Sequence, residues 1–420
     1  MNIQRYKSTR DLTPDDMKRF HIIEQAFRTS CLRWGYEEVK TPVIEYLYLY
    51  TSAGTLTPTM LSRVYSFLDW DGWSGERVVL RPDVTIPVAR FYIENMADRA
   101  TARLFYVANV FGYEETGKKT REKWQCGAEH IGNSSFAADV ELIMLAQEVL
   151  QQTGLKGVKL RLSHAGIIKG LLKKLELSPD EEQRILDQVL DGDEEALARM
   201  KSVKPEIEQV FDLLLGTKGK TAGLTGDFRS LLLQSLPDLK PEVEDFANIV
   251  ALLQNLGSEF SIDFRSVRGF EYYTGIIFQL LRNGEKIGGG GRYDDLISAM
   301  GSGATPASGF ALYLDRLMDL IEPYNAAESP AEQVLIRASD TGLINECFGI
   351  AGLLRREGFI VVLSGGGKEP GDFTWQIDVR GKAPRFVLTD QTRHRTLEIQ
   401  TADEVLKLLG KHKTGKGTSG

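Results

Sequence analysis

Residues 103–132 read RLFYVANVFGYEETGKKTREKWQCGAEHIG, and the rest of the chain can be placed around them. Arg103-Leu104-Phe105-Tyr106-Val107 alternates polar and apolar side chains, as a half-buried strand requires. Residues 124–131 look like its partner strand, and the loop between them carries Lys118, Lys119, Arg121 and Lys123. Such a basic loop can grip phosphate or form a solvated hairpin tip. On the second strand Gln125, Gly127 and Glu129 share one face by the period of two. A glutamine and a glutamate separated by a glycine leave room for a small polar ligand. The same pattern also suits a polar ladder on an exposed sheet surface.

Upstream, Thr13-Pro14-Asp15-Asp16 is a helix start: a capping threonine, proline at the first helical position and acids in the first turn. Phe20, Ile23, Ala26 and Phe27 recur at helical spacing, and Gly35 follows the end. Residues 36–44 read as extended, interrupted by Pro42, and 78–80 as a strand. In RPDVTIPVAR, residues 81–90, an Arg-Pro-acid turn places Asp83 at a helix start, as a cap or as a site carboxylate.

Downstream, a helix over 136–152 stops at Gly154. The stretch from about 165 to 255 is almost entirely helical in pattern, with Ser178-Pro179-Asp180-Glu181 as a capping box. Strands return at 260–264 and 276–281, and a glycine run, Gly288 to Gly291, precedes a helix predicted at 307–321. That helix would place Phe310, Leu314 and Leu317 on its core face and carry Arg316. Strands on both sides of a helical insertion predict one α+β unit, an antiparallel sheet flanked by helices. After a linker over 323–330, strands (VLIRA, FIVVL, FVLTD, LEIQ) alternate with helices near 343–356 and 402–409 as a small α/β domain. The expected division is 1–322, 331–410 and a flexible tail, 411–420.

The composition is ordinary for a globular protein: 420 residues, 42% hydrophobic and 26% charged, with formal net charge −7. That excludes a chain disordered throughout, a collagen and a disulfide scaffold, and it lacks the global basic footprint of a dedicated nucleic-acid binder. Cys31, Cys126 and Cys347 are far apart and odd in number, which fits a reducing cytoplasm and offers no metal-ligand spacing. No run of ~18 apolar residues marks a membrane span.

Two further segments suggest chemistry. SVRGFEYYTGIIF, residues 266–278, packs an arginine, a glycine, an acid and paired tyrosines together; if it is extended, Tyr272 and Tyr273 point to opposite sides. GGGGRYDDLISAMGSGATPASGFALYLDRL, residues 288–317, lets backbone approach a ligand or another strand closely. In order and spacing, these segments resemble the class II aminoacyl-tRNA synthetase core, specifically the histidyl-tRNA synthetase branch, over about residues 10–322. Residues 35–45 look like its dimer-forming motif 1, residues 112–132 like motif 2, and residues 288–317 like motif 3 with Arg316 as its arginine. Residues 266–278 resemble the histidine-specific signature.

The resemblance implies a histidine pocket. Asp83, Thr85 and Gln125 match positions that hold the α-amino group. Glu129 and Tyr273 match those that hold the imidazole. Arg268 matches the arginine facing the carboxylate and α-phosphate, and Tyr272 and Tyr293 match pocket tyrosines. Asp83 stands where the synthetase has the longer glutamate. In motif 2 the family has Phe-Arg-x-Glu, whereas this chain has Phe111-Gly112-Tyr113-Glu114. Losing a preorganised cation at the α-phosphate typically costs on the order of 10²–10³ in rate. Residues 331–400, similar to a reduced anticodon-binding domain that includes Gly365-Gly366-Gly367, carry nine basic and nine acidic residues, so tRNA is not an expected partner. Histidine recognition kept and phosphate handling lost is the pattern of the histidyl-tRNA synthetase-like regulatory subunits of ATP phosphoribosyltransferase. That family implies a non-catalytic, cytoplasmic chain without a cofactor. It would dimerise through motif 1 and join the short-form catalytic subunit in a hetero-octamer, with histidine as feedback effector of the first step of histidine biosynthesis. The competing reading is an active histidyl-tRNA synthetase, with Lys118 or Lys119 replacing the missing arginine.

Overall fold

The computed structural model describes residues 3–52, 61, 63–70, 75–113, 120–174, 178, 181, 230, 233–234, 237–264, 272–321, 332–364 and 373–415. The chain divides into two compact units, Met1–Pro323 and Tyr324–Gly420.

In the first unit α1 (Pro14–Arg33) leads through β1 (Glu37–Glu38), β2 (Ile44–Tyr46) and α2 (Leu47–Ser52) to β3 (Ser66–Trp70) and β4 (Gly75–Leu80). Then come α3 (Thr85–Asn95), β5 (Ala102–Phe111), β6 (Glu122–Ile131), α4 (Phe136–Gln152), β7 (Lys159–His164) and α5 (Ala165–Lys174). After α6 (Lys240–Asn255) follow β8 (Phe260–Ile262), β9 (Ile276–Arg282), β10 (Glu285–Arg292), α7 (Asp295–Ala299), β11 (Ala307–Tyr313) and α8 (Leu314–Leu320). Among the described residues, eight strands form one sheet in the order β1-β5-β6-β11-β10-β9-β7-β8. From β5 to β7 in that order every pair is antiparallel, whereas β1 on β5 and β7 on β8 are parallel. The sheet is therefore mixed at its two edges. A parallel pair needs a crossover connection, and the chain between β7 and β8, which includes α5 and α6, supplies it. Most of the expected helical insertion lies outside the described residues.

The start of α1 is built as its sequence predicts. Thr13 Oγ1 accepts from the Asp16 N–H at 3.2 Å, and the Asp16 carboxylate accepts from the Thr13 N–H at 3.0 Å, a complete capping box. The apolar stripe Phe20, Ile23, Phe27 and Cys31 is buried. Phe27 meets Phe105 of β5 edge-on at 5.9 Å and Phe310 of β11 at 6.3 Å, so α1 covers one face of the sheet.

One expectation is corrected here. Residues 307–313 are a strand and not the first turns of a helix; only Leu314–Leu320 is helical, so Phe310 reaches the core from β11 while Arg316 remains on α8. The glycine run 288–291 is itself a strand, between β9 and β11. A strand in the middle of a sheet is buried on both faces and loses the alternation that marks a half-buried one.

The second unit comprises β12 (Gln333–Ala338), α9 (Ile344–Arg356), β13 (Ile360–Leu363), β14 (Trp375–Val379), β15 (Phe386–Asp390), β16 (Arg395–Ile399) and α10 (Ala402–Gly415). Its sheet runs β13-β12-β14-β15-β16, parallel over the first three strands and antiparallel thereafter. Val334, Ile336, Leu354, Ile377 and Leu388 centre its core. α10 continues to Gly415, so part of the segment read as a flexible tail is helical. Gly365-Gly366-Gly367 lie outside the described residues.

Candidate functional site

On the face of the large sheet away from α1, β6, β11 and β10 form the floor of a cavity of about 790 Å³, within the ~300–1,000 Å³ range of small-molecule sites. The strand register aligns that floor. Gln125 lies opposite Tyr313, Gly127 opposite Ala311 and Glu129 opposite Gly309; Gly309 in turn lies opposite Gly291. The missing side chains are occupied space. A Cβ on Gly309 would stand 1.6 Å from Glu129 Oε2, one on Gly127 2.3 Å from the Tyr106 ring, and one on Gly291 3.0 Å from the Tyr273 ring.

Glu129, only 1% exposed, is the centre of the polar cluster. Thr85 Oγ1, at the start of α3, donates to its Oε1 at 2.9 Å, and the Tyr293 hydroxyl donates to its Oε2. Burial pushes the Glu129 carboxyl up to about 8, against the pull of those two donors. Tyr272, Tyr273 and Tyr293 pack as one aromatic cluster, with centroids 4.9 Å apart for the first pair and 5.7 Å between Tyr272 and Tyr293. Gln125 Nε2 donates to the Tyr106 hydroxyl at 3.3 Å. At the cavity edge Asp83 Oδ1 accepts from the Ile86 N–H at 2.9 Å, so Asp83 caps α3 while its carboxyl borders the cavity; burial pushes it up to about 6. A buried carboxyl flanked by hydroxyls and aromatic rings can accept from a nitrogen heterocycle, and a second carboxyl beside an amide oxygen can hold an ammonium. Among the described residues no three His, Cys, Asp or Glu side chains converge as metal ligands. None of their helices is long and apolar enough to cross a membrane.

The family model described as histidyl-tRNA synthetase matches residues 8–317. A protein of Dehalococcoides mccartyi named ATP phosphoribosyltransferase regulatory subunit is 47% identical over 97% of this chain and 98% of its own. The chain belongs to the ATP phosphoribosyltransferase regulatory subunit family. A histidine–tRNA ligase of Archaeoglobus fulgidus is more distant, at 32% identity over 86% of each chain. In solved structures, a regulatory subunit/histidyl-tRNA synthetase from Bacillus halodurans superposes with TM-score 0.74 at 23% identity, covering 88% of this chain and 95% of that one. A histidyl-tRNA synthetase from Nostoc superposes with TM-score 0.73 at 18% identity, covering 97% and 99%. At these identities the superpositions carry the fold, a histidyl-tRNA synthetase-like class II fold.

In this regulatory-subunit chain Asp83, Thr85, Gln125, Tyr272, Tyr273 and Tyr293 all border the one cavity, with Glu129 beneath them bonded to two of their number. The polar face of β6 is thus buried and not an exposed ladder. Arg268, Lys118 and Lys119 lie outside the described residues. Gly112 lines the cavity with open space where its side chain would be. Arg121 is buried, donates to the Tyr6 hydroxyl at 3.0 Å and stacks on Tyr113 at 4.6 Å; in the basic loop it serves packing. Arg316 is exposed at the cavity rim. Two groups escaped the sequence motifs. Lys169 of α5 donates to the Tyr273 carbonyl at 2.8 Å and so positions the tyrosine pair. Lys286 of β10 lines the cavity; the only sequence sign of it is a lone lysine ahead of a glycine run.

Proposed function

We propose that this chain is the regulatory subunit required for ATP phosphoribosyltransferase activity, which joins ATP and phosphoribosyl pyrophosphate in the first step of histidine biosynthesis. Histidine is its feedback effector, and the Glu129 cavity is where it binds. The reading rests on one asymmetry. Glu129 accepts from Thr85 and Tyr293 beside a cluster of three tyrosines, which suits an imidazole-bearing ligand, while glycine occupies position 112, where the resemblance to the synthetases puts the phosphate-binding arginine. The 47% identity to a protein named as such a subunit supports it.

In this reading Glu129 and Tyr273 accept from the imidazole, Asp83, Thr85 and Gln125 hold the ammonium, and Arg268 faces the carboxylate. Regulation follows from linkage. Histidine shifts the complex toward the inhibited state only by its differential affinity for that state, and a coupling of roughly 1–3 kcal/mol suffices for useful feedback. The partner is the short-form catalytic subunit, in a hetero-octamer. Self-association runs through the motif 1 region, where Val43 and Ile44 are exposed, and just beyond it Tyr46 and Tyr48 are exposed with their rings stacked at 5.3 Å. The chain itself is non-catalytic and works in the cytoplasm.

The test is phosphoribosyl-ATP formation by the catalytic subunit, with and without this chain and with and without histidine. Activity that depends on the chain and falls with histidine is the expected result. Histidine-dependent exchange of pyrophosphate into ATP by the purified chain would instead identify an active synthetase.

A further inference from the structure

Gln125, Gly127 and Glu129 share one face of β6, and the gap at Gly127 is filled from the neighbouring strand. Tyr106 of β5 lies opposite Gly127 in the register and is only 2% exposed. A Cβ on Gly127 would fall on the Cζ and Oη atoms of Tyr106, so only a glycine lets the phenol reach over β6. Its hydroxyl therefore stands between the glutamine and the glutamate. Gln125 borders the cavity, whereas Tyr106 supports it from beneath.

Burial holds the Tyr106 phenol well above its ordinary range, so it is a neutral O–H that donates one hydrogen bond and accepts others. Gln125 Nε2 donates to its oxygen at 3.3 Å. The Thr85 hydroxyl is within hydrogen-bonding reach of the same phenol, and Thr85 gives its own proton to Glu129 Oε1. What Thr85 has left to offer the phenol is its oxygen. The phenol proton goes there, and the phenol oxygen is left to accept. Only the amino end of the Gln125 amide can fill that role. The Gln125 side chain makes no other hydrogen bond among the described residues. The terminal torsion of a glutamine is soft, so this one bond decides which way round the amide lies. With Nε2 on Tyr106, Oε1 is the end turned to the cavity. An amide oxygen there accepts from an ammonium, and an amino end would repel it.

We propose that Tyr106 is a specificity-determining positioning residue: by accepting from Gln125 Nε2 it presents the glutamine oxygen to the cavity, and so selects ligands that carry an ammonium beside their ring. The proposal rests on the reading of the cavity as a histidine site and adds how that site reads the amino group.

Calorimetry on the full chain compares histidine with imidazolepropionate, the same molecule without its amino group. Tyr106→Phe keeps the ring over Gly127 and removes only the hydroxyl. The variant is expected to bind histidine roughly ten-fold more weakly, the scale of one hydrogen bond to a charged group, and imidazolepropionate within about two-fold of the wild type. Gln125→Met removes the other partner of the bond; it shows the same selective loss, and Tyr106→Phe in that background adds nothing. If Tyr106→Phe does not fold, Gln125→Met decides alone, and an unchanged preference for histidine over imidazolepropionate in it would overturn the proposal. Equal losses for both ligands in Tyr106→Phe would show a packing role and overturn it too, as would unchanged affinities or a further loss in the Gln125→Met background. A wild type that binds the two ligands equally would overturn the proposal and leave the imidazole reading of the cavity standing. A wild type that binds neither would refute the histidine reading, and the proposal with it.

Discussion

Replacing Gly309 with alanine tests the polar cluster through its packing. The new Cβ would sit 1.6 Å from Glu129 Oε2 and 2.8 Å from the Ala128 carbonyl, which belongs to the neighbouring strand and cannot retreat without parting β6 from β11. To reach even a tight 3.0 Å contact, the Glu129 oxygen must move by about 1.4 Å. That displacement breaks the bond Oε2 accepts from Tyr293 and, as the carboxyl turns, strains the 2.9 Å bond Oε1 accepts from Thr85. Overpacking of this kind costs roughly 1–3 kcal/mol, and a buried acceptor pulled from its donors another ~1–3 kcal/mol. At about 2–4 °C per kcal/mol for a large domain, the unfolding midpoint falls on the order of 10 °C. Histidine binding, read by calorimetry, weakens at least ten-fold because its carboxyl partner has moved. Gly112→Ala is the matched control: among the described residues no atom lies within 4 Å of its Cβ, so stability stays at the wild-type level. A Gly309→Ala protein with wild-type midpoint and wild-type histidine affinity would refute the reasoning.

The other expected outcomes concern the same site. Glu129→Gln and Tyr273→Phe each weaken histidine binding by roughly 1–3 kcal/mol, about 5- to 150-fold, and leave assembly with the catalytic subunit intact; calorimetry with size-exclusion chromatography reads both. Glu129 titrates near 8 in the folded chain against an ordinary value near 4.5, so the folded state holds a proton that the unfolded chain gives up across that window. Its contribution to stability is present below about 4.5 and lost as pH rises through 8, so the wild type loses stability relative to Glu129→Gln between pH 5 and 8 in denaturant titrations. A Cβ at Gly112 meets no described atom within 4 Å, yet Gly112→Arg produces no robust histidine charging, because Asp83 is one methylene shorter than the synthetase's glutamate and residues 331–400 carry no basic excess. An aminoacylation assay checks it.

How far the sequence revealed this molecule depended on how each strand is buried. β6 was readable because Gln125, Gly127 and Glu129 fall on one face; β5 was placed correctly, but not as the half-buried strand its reading implied, because Leu104, Phe105 and Tyr106 are buried one after another on both faces. β11 was not: Gly309-Phe310-Ala311-Leu312 has no alternation, because Phe310 packs on α1 while its small neighbours lie under the cavity, and the run passes for a helix. Nor was β10, since glycines carry no strand signal and its pairing is imposed by β9 and β11. Six of the pocket residues matched from the histidine signature and motifs border one cavity, with Glu129 bonded beneath them. What sequence alone could not supply was their wiring: that Thr85 and Tyr293 meet on a single carboxyl, that Lys169 holds the tyrosine pair in place from α5, and that the Tyr106 phenol fills the gap at Gly127.

The bare strands under the cavity have a consequence for how its selectivity can change. Gly127, Gly291 and Gly309 each admit a neighbour's side chain where their own would be, so almost any mutation at these positions evicts an occupant. Drift in ligand preference must therefore come from the rim, through Asp83 or Tyr272, where a new side chain alters the opening and leaves the β-ladder untouched. Such a scaffold can change the chemistry at its mouth and keep the shape of its recess, because the part that shapes the recess is the part least free to mutate.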